Sequence, residues 1–262
     1  MNNKYALFFD IDGTLVSFNT HQIPPSTIFA LTQAKANGHK VFISTGRPPI
    51  IMNNLGAIEH LIDGYVTING ALCYIGDQTI LSRDIPRDVV DFIVEDSLSH
   101  NHSLFVVGEK DMAAVDPHGE IATIFGEGLG IKNLNMAKPL NEVLKQRIFQ
   151  LTPFFNEEYE SKLAGRIHNC TFARWHPDFI DITAKGADKG EGILAIARHM
   201  GLDRQQTIAF GDGGNDVAMI ETAGIGIAMG NAFDVAKNAA DYITTSVDDD
   251  GILNAMRHFK LI

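Results

Sequence analysis

The sequence predicts an α/β protein whose sheet is doubly wound and mostly parallel, with an α+β domain inserted into it. Strand and helix patterns alternate at both ends of the chain, and hairpin patterns replace them in between. Strand–helix–strand alternation favours parallel strands with right-handed crossovers, whereas neighbouring hairpin strands favour an antiparallel sheet. We therefore expect a core of residues 1–82 and 186–262 and an inserted domain of residues 83–185.

The first part of the predicted core alternates strands with one helix. The apolar run before Asp10 predicts a buried strand, and a polar, proline-containing loop separates it from an amphipathic helix over residues 26–37. Ser26 is the predicted N-cap of this helix, and Gly38 is its predicted end. Two more strands follow, KVFIS at residues 40–44 and GYVTING at residues 64–70.

The last part of the chain returns to the same alternation. The predicted elements are a helix at GEGILAIARHM (190–200), a strand at QTIAFGD (206–212), a helix at NDVAMIETA (215–223), strands at GIGIAMG (224–230) and ADYIT (240–244), and a helix over residues 250–259. This pattern continues the parallel sheet of the first part.

The middle of the chain has a different pattern, in which hairpins and helices mix. The predicted elements are a helix at DVVDFIVEDSLS (88–99), a hairpin of SLFVVG and MAAVD (103–116), a helix near 117–127, a strand at RIFQLTPF (147–154), a helix at NEEYESKLAG (156–165) and a hairpin of TFARW and FIDIT (171–183). The alternation over residues 147–154 predicts a half-exposed strand. A segment of this length with its own elements is expected to fold as a unit.

Composition and charge argue against two classes of partner. The 262 residues carry a formal net charge of −11 and no run of Lys and Arg, so nucleic-acid binding is not expected. No apolar stretch approaches the roughly 18 residues that a membrane-spanning helix needs, and Asp10 interrupts the apolar run near the N-terminus. Cys73 and Cys170 lack the spacing of a zinc site or a disulfide framework. We therefore expect a soluble, cytoplasmic protein; its oligomeric state is not indicated.

Polar residues follow four predicted strands at the end where each strand stops. They are Asp10 and Asp12 after the first strand, Thr45 and Gly46 after the second, Asn69 and Gly70 after the third, and Asp212, Asn215 and Asp216 after the strand at 206–212. Ligands of an open parallel sheet bind beyond the carboxyl ends of its strands, so these residues are expected to form one site. Lys189 begins the helix before the last of these strands and is expected there too.

Two carboxylates at the end of a buried strand need a source of positive charge. A carboxylate near an apolar interior is costly unless it is neutralised, and a second one nearby raises the pKa of both. Three acidic groups at one sheet edge suit Mg²⁺, which binds few carboxylates and keeps positions for water and phosphate. The sequence therefore predicts that Mg²⁺ and Lys189 supply the positive charge at Asp10 and Asp12.

Four segments of the sequence resemble the motifs of the haloacid-dehalogenase-like (HAD) phosphatases. They are DIDGTL, STGRP, the lysine of ADKGEGI, and GDGGND. Their order, with a large insert between the second and the third, is similar to that of the Cof-type subgroup, as are NGA (69–71) and GIAMGNA (226–232). The resemblance implies a doubly wound HAD-like core and an α+β cap of the second type.

The resemblance also implies roles for the residues at the strand ends. Asp10 is the implied nucleophile, which attacks phosphorus and becomes an aspartyl phosphate. Asp12 is the implied general acid for the leaving alcohol and then the base for the hydrolytic water. Asp10, the backbone carbonyl of Asp12, and Asp212 are the implied Mg²⁺ ligands.

Further implied roles concern the phosphate and the rest of the substrate. Thr45, the Gly46 backbone, Lys189, Asn215 and an N–H near Ile11 are the implied phosphate ligands. Asp216 is expected to orient Lys189 or a metal-bound water. On the cap hairpin, Arg174, His176 and Asp178 are candidates to face the substrate.

The predicted function is a Mg²⁺-dependent phosphatase for small phosphorylated metabolites, namely sugar phosphates. A phosphohexomutase of the same superfamily shares the DxDGT motif and a similar cap, so it stays open as an alternative; release of free phosphate rather than an isomerised sugar phosphate separates the two. A non-enzymatic receiver module, in which Asp10 is only a phosphorylation switch, is a third alternative. Asp12 argues against a receiver and against a dehalogenase, because neither reaction needs a second aspartate.

Overall fold

We describe the protein from a computed structural model, which describes residues 4–52, 54–124 and 137–262. Its chain contacts form two compact units. The first unit comprises Met1–Arg47, Met52–Ser82 and Asp188–Ile262, and the second comprises Pro48–Ile51 and Arg83–Ala187. Among the described ranges, no helix combines the length and the apolar character needed to cross a bilayer.

Thirteen strands and eight α-helices make up the described part of the chain. The strands are β1 (Ala6–Phe9), β2 (Lys40–Ser44), β3 (Gly64–Thr67), β4 (Leu72–Ile75), β5 (Gln78–Ser82), β6 (Leu104–Gly108), β7 (Met112–Val115), β8 (Ile148–Pro153), β9 (Cys170–His176), β10 (Phe179–Ala184), β11 (Thr207–Gly211), β12 (Ile225–Ala228) and β13 (Tyr242–Ile243). The helices are α1 (Pro25–Ala36), α2 (Arg87–Ser99), α3 (Leu140–Val143), α4 (Glu157–Leu163), α5 (Lys189–His199), α6 (Val217–Thr222), α7 (Asp234–Ala239) and α8 (Gly251–His258).

The first unit is built on an eight-stranded sheet in the order β13-β12-β11-β1-β2-β3-β4-β5. The strands from β13 to β3 are parallel, and β4 and β5 add an antiparallel edge. Leu7 and Phe9 pack in a buried cluster with residues of α1 and α8, whereas Ala6 and Phe8 pack in another with residues of α5. Helices therefore cover both faces of the sheet, which confirms the predicted doubly wound fold.

Strand β1 lies between β2 and β11 in the middle of this sheet. The parallel register places Phe9, the last residue of β1, opposite Ile43 and Phe210. The carboxyl ends of these three strands therefore lie side by side, so the polar residues that follow them are neighbours in space.

The second unit contains a five-stranded antiparallel sheet in the order β7-β6-β8-β10-β9. One face of it packs against α2, where Val90 and Ile93 join Leu151 and Ile182 in a buried cluster. An antiparallel sheet with a helix on one face is the α+β architecture predicted for the insert. Part of the helix predicted near 117–127 falls in residues 125–136, outside the described ranges.

Strand β8 is more buried than its alternating sequence predicts. All six of its residues are buried, so the prediction of a half-exposed strand is wrong. The polar residues of β8 are buried because they share hydrogen bonds with Asp181: Thr152 Oγ1 donates to Asp181 Oδ1 at 2.6 Å, and Gln150 Nε2 donates to the same oxygen at 2.9 Å. Burial of a polar group is tolerated when its hydrogen bonds are made.

Helix α1 begins differently from the sequence prediction. The helix starts at Pro25 after Pro24. Among the residues that the structure describes, no side chain caps it and none is hydrogen-bonded to the Ser26 hydroxyl. Proline suits the first helical position because its φ is already helical and its missing N–H would be unsatisfied there. The prediction of Ser26 as N-cap is therefore wrong, whereas Gly38, at φ +88°, ends the helix as predicted.

The third predicted strand is shorter than residues 64–70. Strand β3 ends at Thr67, and Ile68, Asn69 and Gly70 all have positive φ. A left-handed backbone cannot continue a strand, so the chain turns sharply at this point. The next residues form the antiparallel strand β4.

Candidate active site

A buried lysine joins two aspartates at the carboxyl ends of β1 and β11. Lys189 Nζ donates to Asp10 Oδ1 at 2.6 Å and to Asp216 Oδ1 at 2.6 Å. Lys189 and Asp216 are fully buried, and Asp10 is 7% exposed. Lys189 is the first residue of α5, which is capped by Asp188 accepting from the Glu191 N–H at 2.8 Å. The helix start therefore fixes the lysine against both carboxylates.

The charges in this cluster shift one another's pKa. Burial raises the pKa of Asp10 well above its usual value, and the neighbouring charge of Asp216 raises it further, although Lys189 opposes both. Burial alone lowers the pKa of Lys189, but the charges of Asp10 and Asp216 outweigh it and raise that pKa. Lys189 is therefore a permanent cation beside Asp10.

Both carboxylate oxygens of Asp216 accept hydrogen bonds. Its Oδ2 accepts the backbone N–H groups of Asp212 at 2.9 Å and Gly213 at 2.8 Å. A Cβ on Gly211 would lie 2.5 Å from the Asp216 Cβ, so only glycine fits at the end of β11. Asp216 thus fixes Lys189 and the loop after β11 together, which is the arrangement expected of an orienting residue.

Asp212, the residue directly after β11, belongs to the same buried cluster. Its Oδ1 accepts from Thr14 Oγ1 at 3.1 Å, and a Cβ on Gly13 (φ +83°) would lie 2.2 Å from its Oδ2. Burial, followed by the charge of Asp216, raises the pKa of Asp212 to about 7. The close approach of Gly13 explains why glycine follows Asp12.

The cluster fits a divalent cation. Oxygens of Asp10, Asp212 and Asp216 all lie within 4.8 Å of one another. Three carboxylates against the single charge of Lys189 leave a net charge of −3 + 1 = −2 in a buried place, which is unfavourable without a cation. Asp216 already accepts three hydrogen bonds, from Lys189 and from the N–H groups of Asp212 and Gly213, so Asp10 and Asp212 are the better candidates to hold an ion.

Asp12 has a partner that the sequence analysis missed. Arg47 donates from Nε to Asp12 Oδ2 at 2.8 Å and from Nη2 to Asp12 Oδ1 at 2.8 Å. Two parallel hydrogen bonds of this kind fix the plane of the carboxylate. The only signal in the sequence is an arginine in the STGRP segment, directly after a predicted strand end.

The remaining core residues of the predicted site lie at the same strand ends. The buried Thr45 donates its N–H to the Val66 carbonyl at 2.8 Å, and its Oγ1 accepts from the Arg47 N–H at 3.1 Å. A Cβ on Gly46 would lie 3.5 Å from Asn215 Nδ2. The carbonyl of the buried Ile11 accepts the N–H groups of Leu15 and Val16, which closes the turn after β1. All the predicted core site residues thus belong to the first unit, whereas Pro48, the last residue of the STGRP segment, belongs to the second.

The predicted cap residues meet at the turn between β9 and β10 in the second unit. Arg174 donates to Glu160 Oε2 at 2.9 Å and to the carbonyls of Phe155 at 3.0 Å and Pro177 at 2.9 Å. The His176 ring stacks on Phe179 with centroids 5.0 Å apart, and Asp178 is exposed. The Arg174 guanidinium therefore secures this hairpin, and contact of these three residues with a substrate stays a prediction.

Comparisons with known proteins identify the family. A family model described as haloacid dehalogenase-like hydrolase matches residues 7–256. The chain belongs to this family. The Bacillus subtilis (strain 168) protein named "Putative phosphatase YkrA" is 33% identical over 267 residues, which span 100% of both chains.

Two solved structures support the same assignment. That of "the HAD Subclass IIB Sugar Phosphatase BT4131" is 44% identical, covers 99% of this chain and 100% of its own, and has a TM-score of 0.87. A second, from work on a trigonal-bipyramidal intermediate in a phosphoryl-transfer superfamily, is 43% identical, covers 99% and 100%, and has a TM-score of 0.88. This haloacid dehalogenase-like hydrolase is therefore a phosphoric monoester hydrolase.

The raised pKa of Asp212 predicts how the stability of the metal-free hydrolase depends on pH. Between 3.8 and about 7 the native carboxyl keeps a proton that the unfolded chain has lost. The contribution of Asp212 to stability is therefore complete below pH 3.8 and is lost as the pH rises to about 7. We expect Mg²⁺ to raise Tm more at pH 8 than at pH 5, because metal binding competes with the protons.

Thermal melts in EDTA and in Mg²⁺ across this pH range check the prediction. Asp212→Asn removes the titrating carboxyl, so it should flatten the pH dependence in EDTA and lose most of the Mg²⁺ shift. Asp77→Asn, at an exposed turn between β4 and β5, should melt like the wild type at every pH. A Mg²⁺ shift that survives in Asp212→Asn would place the metal elsewhere.

Proposed function

We propose that the protein is a Mg²⁺-dependent phosphatase that hydrolyses small phosphorylated metabolites, specifically hexose phosphates, through an aspartyl phosphate on Asp10. The observation that carries the proposal is the buried cluster in which Lys189 binds Asp10 and Asp216, with Asp212 close to both carboxylates. The sugar phosphatase activity named for a structure 44% identical to this chain supports the substrate class.

Asp10 is the nucleophile of the proposed reaction. Lys189 binds its Oδ1 at 2.6 Å, which leaves the second oxygen to attack phosphorus. A bond forms between this oxygen and phosphorus while the ester P–O bond breaks and its electron pair leaves with the alcohol. Water then attacks the phosphorus of the aspartyl phosphate, and the bond to Asp10 breaks with its electron pair returning to the carboxylate, which releases inorganic phosphate. One difficult hydrolysis thus becomes two easier displacements.

A phosphate dianion can bind at this acidic site only where positive charge offsets its repulsion by the carboxylates. Lys189 supplies one charge directly beside the nucleophile. Asp10, Asp212 and the backbone carbonyl of Asp12 would hold Mg²⁺, whose oxygen-ligand preference their donor atoms match. When bound, the ion neutralises phosphate charge that would otherwise repel the attacking carboxylate.

Asp12 is the proposed general acid and base. Its carboxyl gives a proton to the departing alcohol oxygen and then takes one from the attacking water. Arg47 donates to both of its oxygens at 2.8 Å and so orients the carboxylate that takes the proton from water. One of these two hydrogen bonds must open for Asp12 to carry the proton that it gives to the alcohol. Thr45, the Gly46 backbone, Lys189, Asn215 and an N–H near Ile11 are the proposed phosphate ligands.

The second unit, Pro48–Ile51 and Arg83–Ala187, is the proposed specificity cap. Its role is to recognise the alcohol part of the substrate, while the first unit binds the phosphoryl group. His176 and Asp178, at the β9–β10 turn held by Arg174, are the proposed contacts to the sugar.

The thiols support a reducing compartment, and we place the enzyme in the cytoplasm. Cys73 is buried, Cys170 is half-buried, and neither forms a disulfide. Burial raises the pKa of the Cys170 thiol to about 11, so this residue is a protonated, unreactive thiol at neutral pH.

A panel of phosphomonoesters tests the proposed function. Purified protein with Mg²⁺ should release inorganic phosphate from hexose phosphates faster than from nucleoside or amino-acid phosphates, and EDTA should abolish the release. Accumulation of an isomerised hexose phosphate without free phosphate would instead identify a mutase. Full activity in EDTA would contradict the metal-dependent mechanism.

Replacement of Asp12 should have an effect that depends on the leaving group. Asp12→Ala is expected to lose about 100-fold in kcat on a hexose phosphate, whose alkoxide must be protonated as it leaves. The loss should be smaller in the first chemical step with p-nitrophenyl phosphate, because p-nitrophenolate leaves without a proton. Single-turnover kinetics on both substrates provide the measurement, with Asp77→Ala as an exposed control; equal losses on the two would contradict the acid role.

A further inference from the structure

Three consecutive residues after β3 have a left-handed backbone. The φ angles are +51° at Ile68, +49° at Asn69 and +91° at Gly70. Glycine adopts this region freely and asparagine tolerates it, but a β-branched residue such as Ile68 is a strained outlier there. Strain of this kind persists only where the surrounding structure imposes it, and it concentrates at functional sites.

The contacts of residues 68–70, the corner after β3, show what imposes the strain. The Asn69 N–H donates to the Thr45 carbonyl at 3.1 Å, and the Ile68 N–H donates to the Arg47 carbonyl at 3.3 Å. A Cβ on Gly70 would lie 2.0 Å from the carbonyl oxygen of Asp188, the residue before Lys189. The corner is therefore wedged between the segment after β2 and the start of α5.

The side chain of Asn69 is thereby placed against a proposed phosphate ligand. Its Oδ1 accepts a hydrogen bond from Asn215 Nδ2 at 3.1 Å. Its amide also approaches Gly46: a Cβ there would lie 3.1 Å from Asn69 Oδ1 and 3.3 Å from its Nδ2. Two proposed phosphate ligands, Gly46 and Asn215, thus converge on one asparagine that has no assigned role.

In the structure, this hydrogen bond directs the Nδ2 group of Asn215 towards Asn69. An amide has two donors and one carbonyl acceptor, and its two possible orientations exchange them. Because one Nδ2 hydrogen of Asn215 is bound to Asn69, the other must lie in the same plane at a fixed angle. An anion that lies in this plane on the nitrogen side of the amide then meets an N–H donor. On the other side it would meet the amide oxygen, which would repel it.

We propose that Asn69 is a positioning residue that fixes the Asn215 amide for binding of the phosphoryl group. The inference rests on the proposed function, in which Asn215 is a phosphate ligand. The strained corner is explained by this role, because Asn is one of the few residues that both tolerates a left-handed backbone and offers an amide oxygen to Asn215.

Asn69→Gly tests the role, since glycine removes the side chain and accepts the left-handed backbone without new strain. We expect kcat/KM to fall about 10-fold to 100-fold on every phosphomonoester, whatever its alcohol, with most of the change in KM. Competitive inhibition by inorganic phosphate should weaken by the same factor. Tm without phosphate should stay close to that of the wild type.

Two further variants separate positioning from a general structural effect. Asn169→Gly makes the same change at an exposed left-handed asparagine (φ +54°) in the second unit. It should leave both kcat/KM and the inhibition constant of inorganic phosphate unchanged. If Asn69 acts through Asn215, the double variant Asn69→Gly/Asn215→Ala should be no worse than Asn215→Ala alone.

The outcomes separate this inference from the proposed function. If the wild type hydrolyses no phosphomonoester, the proposed function fails, but the rise in Tm on adding inorganic phosphate to the Mg²⁺-loaded protein still measures phosphate binding. A smaller rise in Asn69→Gly than in Asn169→Gly supports the positioning role. Unchanged phosphate binding in Asn69→Gly, or losses at Asn69 and Asn215 that multiply in the double variant, would overturn it.

Discussion

Asp10→Asn is expected to fold normally and to lose at least about 10⁴-fold in kcat. An amide oxygen is a poor nucleophile, so the aspartyl phosphate cannot form. The fold should tolerate the change because asparagine has nearly the same shape as aspartate, and its amide oxygen still accepts a hydrogen bond from Lys189. Lys189 keeps its contact of 2.6 Å with Asp216.

Two measurements check this expectation. Steady-state kinetics with p-nitrophenyl phosphate give kcat, and a rapid acid quench tests for a covalent phosphoryl group on the wild type and on Asp10→Asn. Asp63→Asn is a control of the same kind, since Asp63 also forms ion pairs with lysine, Lys35 at 2.6 Å and Lys40 at 3.1 Å, without belonging to the site. Substantial turnover by Asp10→Asn would remove Asp10 from the role of nucleophile.

The sequence predicted the parallel core well because the local sequence of each strand carries a clear signal. An apolar run that ends in polar residues marks a buried strand whose carboxyl end faces a site, and β1, β2 and β11 all have this form. The order of these strands in the sheet then brings Asp10, Thr45 and Asp212 together. The site could thus be anticipated from strand ends alone, before any side-chain contact was known.

The antiparallel edge of the sheet was not predicted. Strands β4 and β5 are short and lie on either side of Gly76, whose φ is +54°. The turn carried a hairpin signal, a glycine followed by an aspartate between two apolar runs. The interpretation of residues 64–70 as one strand overlooked the turn signal of the Asn69-Gly70 dipeptide. Only the left-handed backbone of Ile68 has no signature in the sequence.

Contacts distant in sequence account for the other omissions. The pairing of Arg47 with Asp12 joins residues 35 positions apart, and it exists only because β1 and β2 are neighbours in the sheet. Neither helical nor strand periodicity encodes such a pair. Lys189 itself was predicted at the site, but its complete burial between two carboxylates was not, since an isolated lysine is usually solvated.

The burial of Lys189 makes its replacement the most informative test of the charge balance. Lys189→Met keeps an unbranched side chain but takes the net charge of the cluster from −2 to −3, the sum over Asp10, Asp212 and Asp216 alone. Removal of one partner from a buried ion pair costs about 3–5 kcal/mol. The metal-free variant should therefore melt well below the wild type, and Mg²⁺ or a lower pH should restore part of the loss.

We expect Lys189→Met to have low activity even when Mg²⁺ restores its stability. Lys189 is the cation beside the nucleophile, so we expect kcat/KM of the folded, Mg²⁺-loaded variant to fall by about 10³-fold or more, as for other cations that stabilise a phosphoryl group in transfer. Lys35→Met, which removes a half-buried lysine bound to Asp63 at 2.6 Å, is the control and should cost little in either measurement. Melts in EDTA and in Mg²⁺, combined with kinetics at saturating Mg²⁺, separate the two effects. A Lys189→Met protein that is stable in EDTA would show that the three carboxylates do not need this cation, and one that is active would show that the reaction does not.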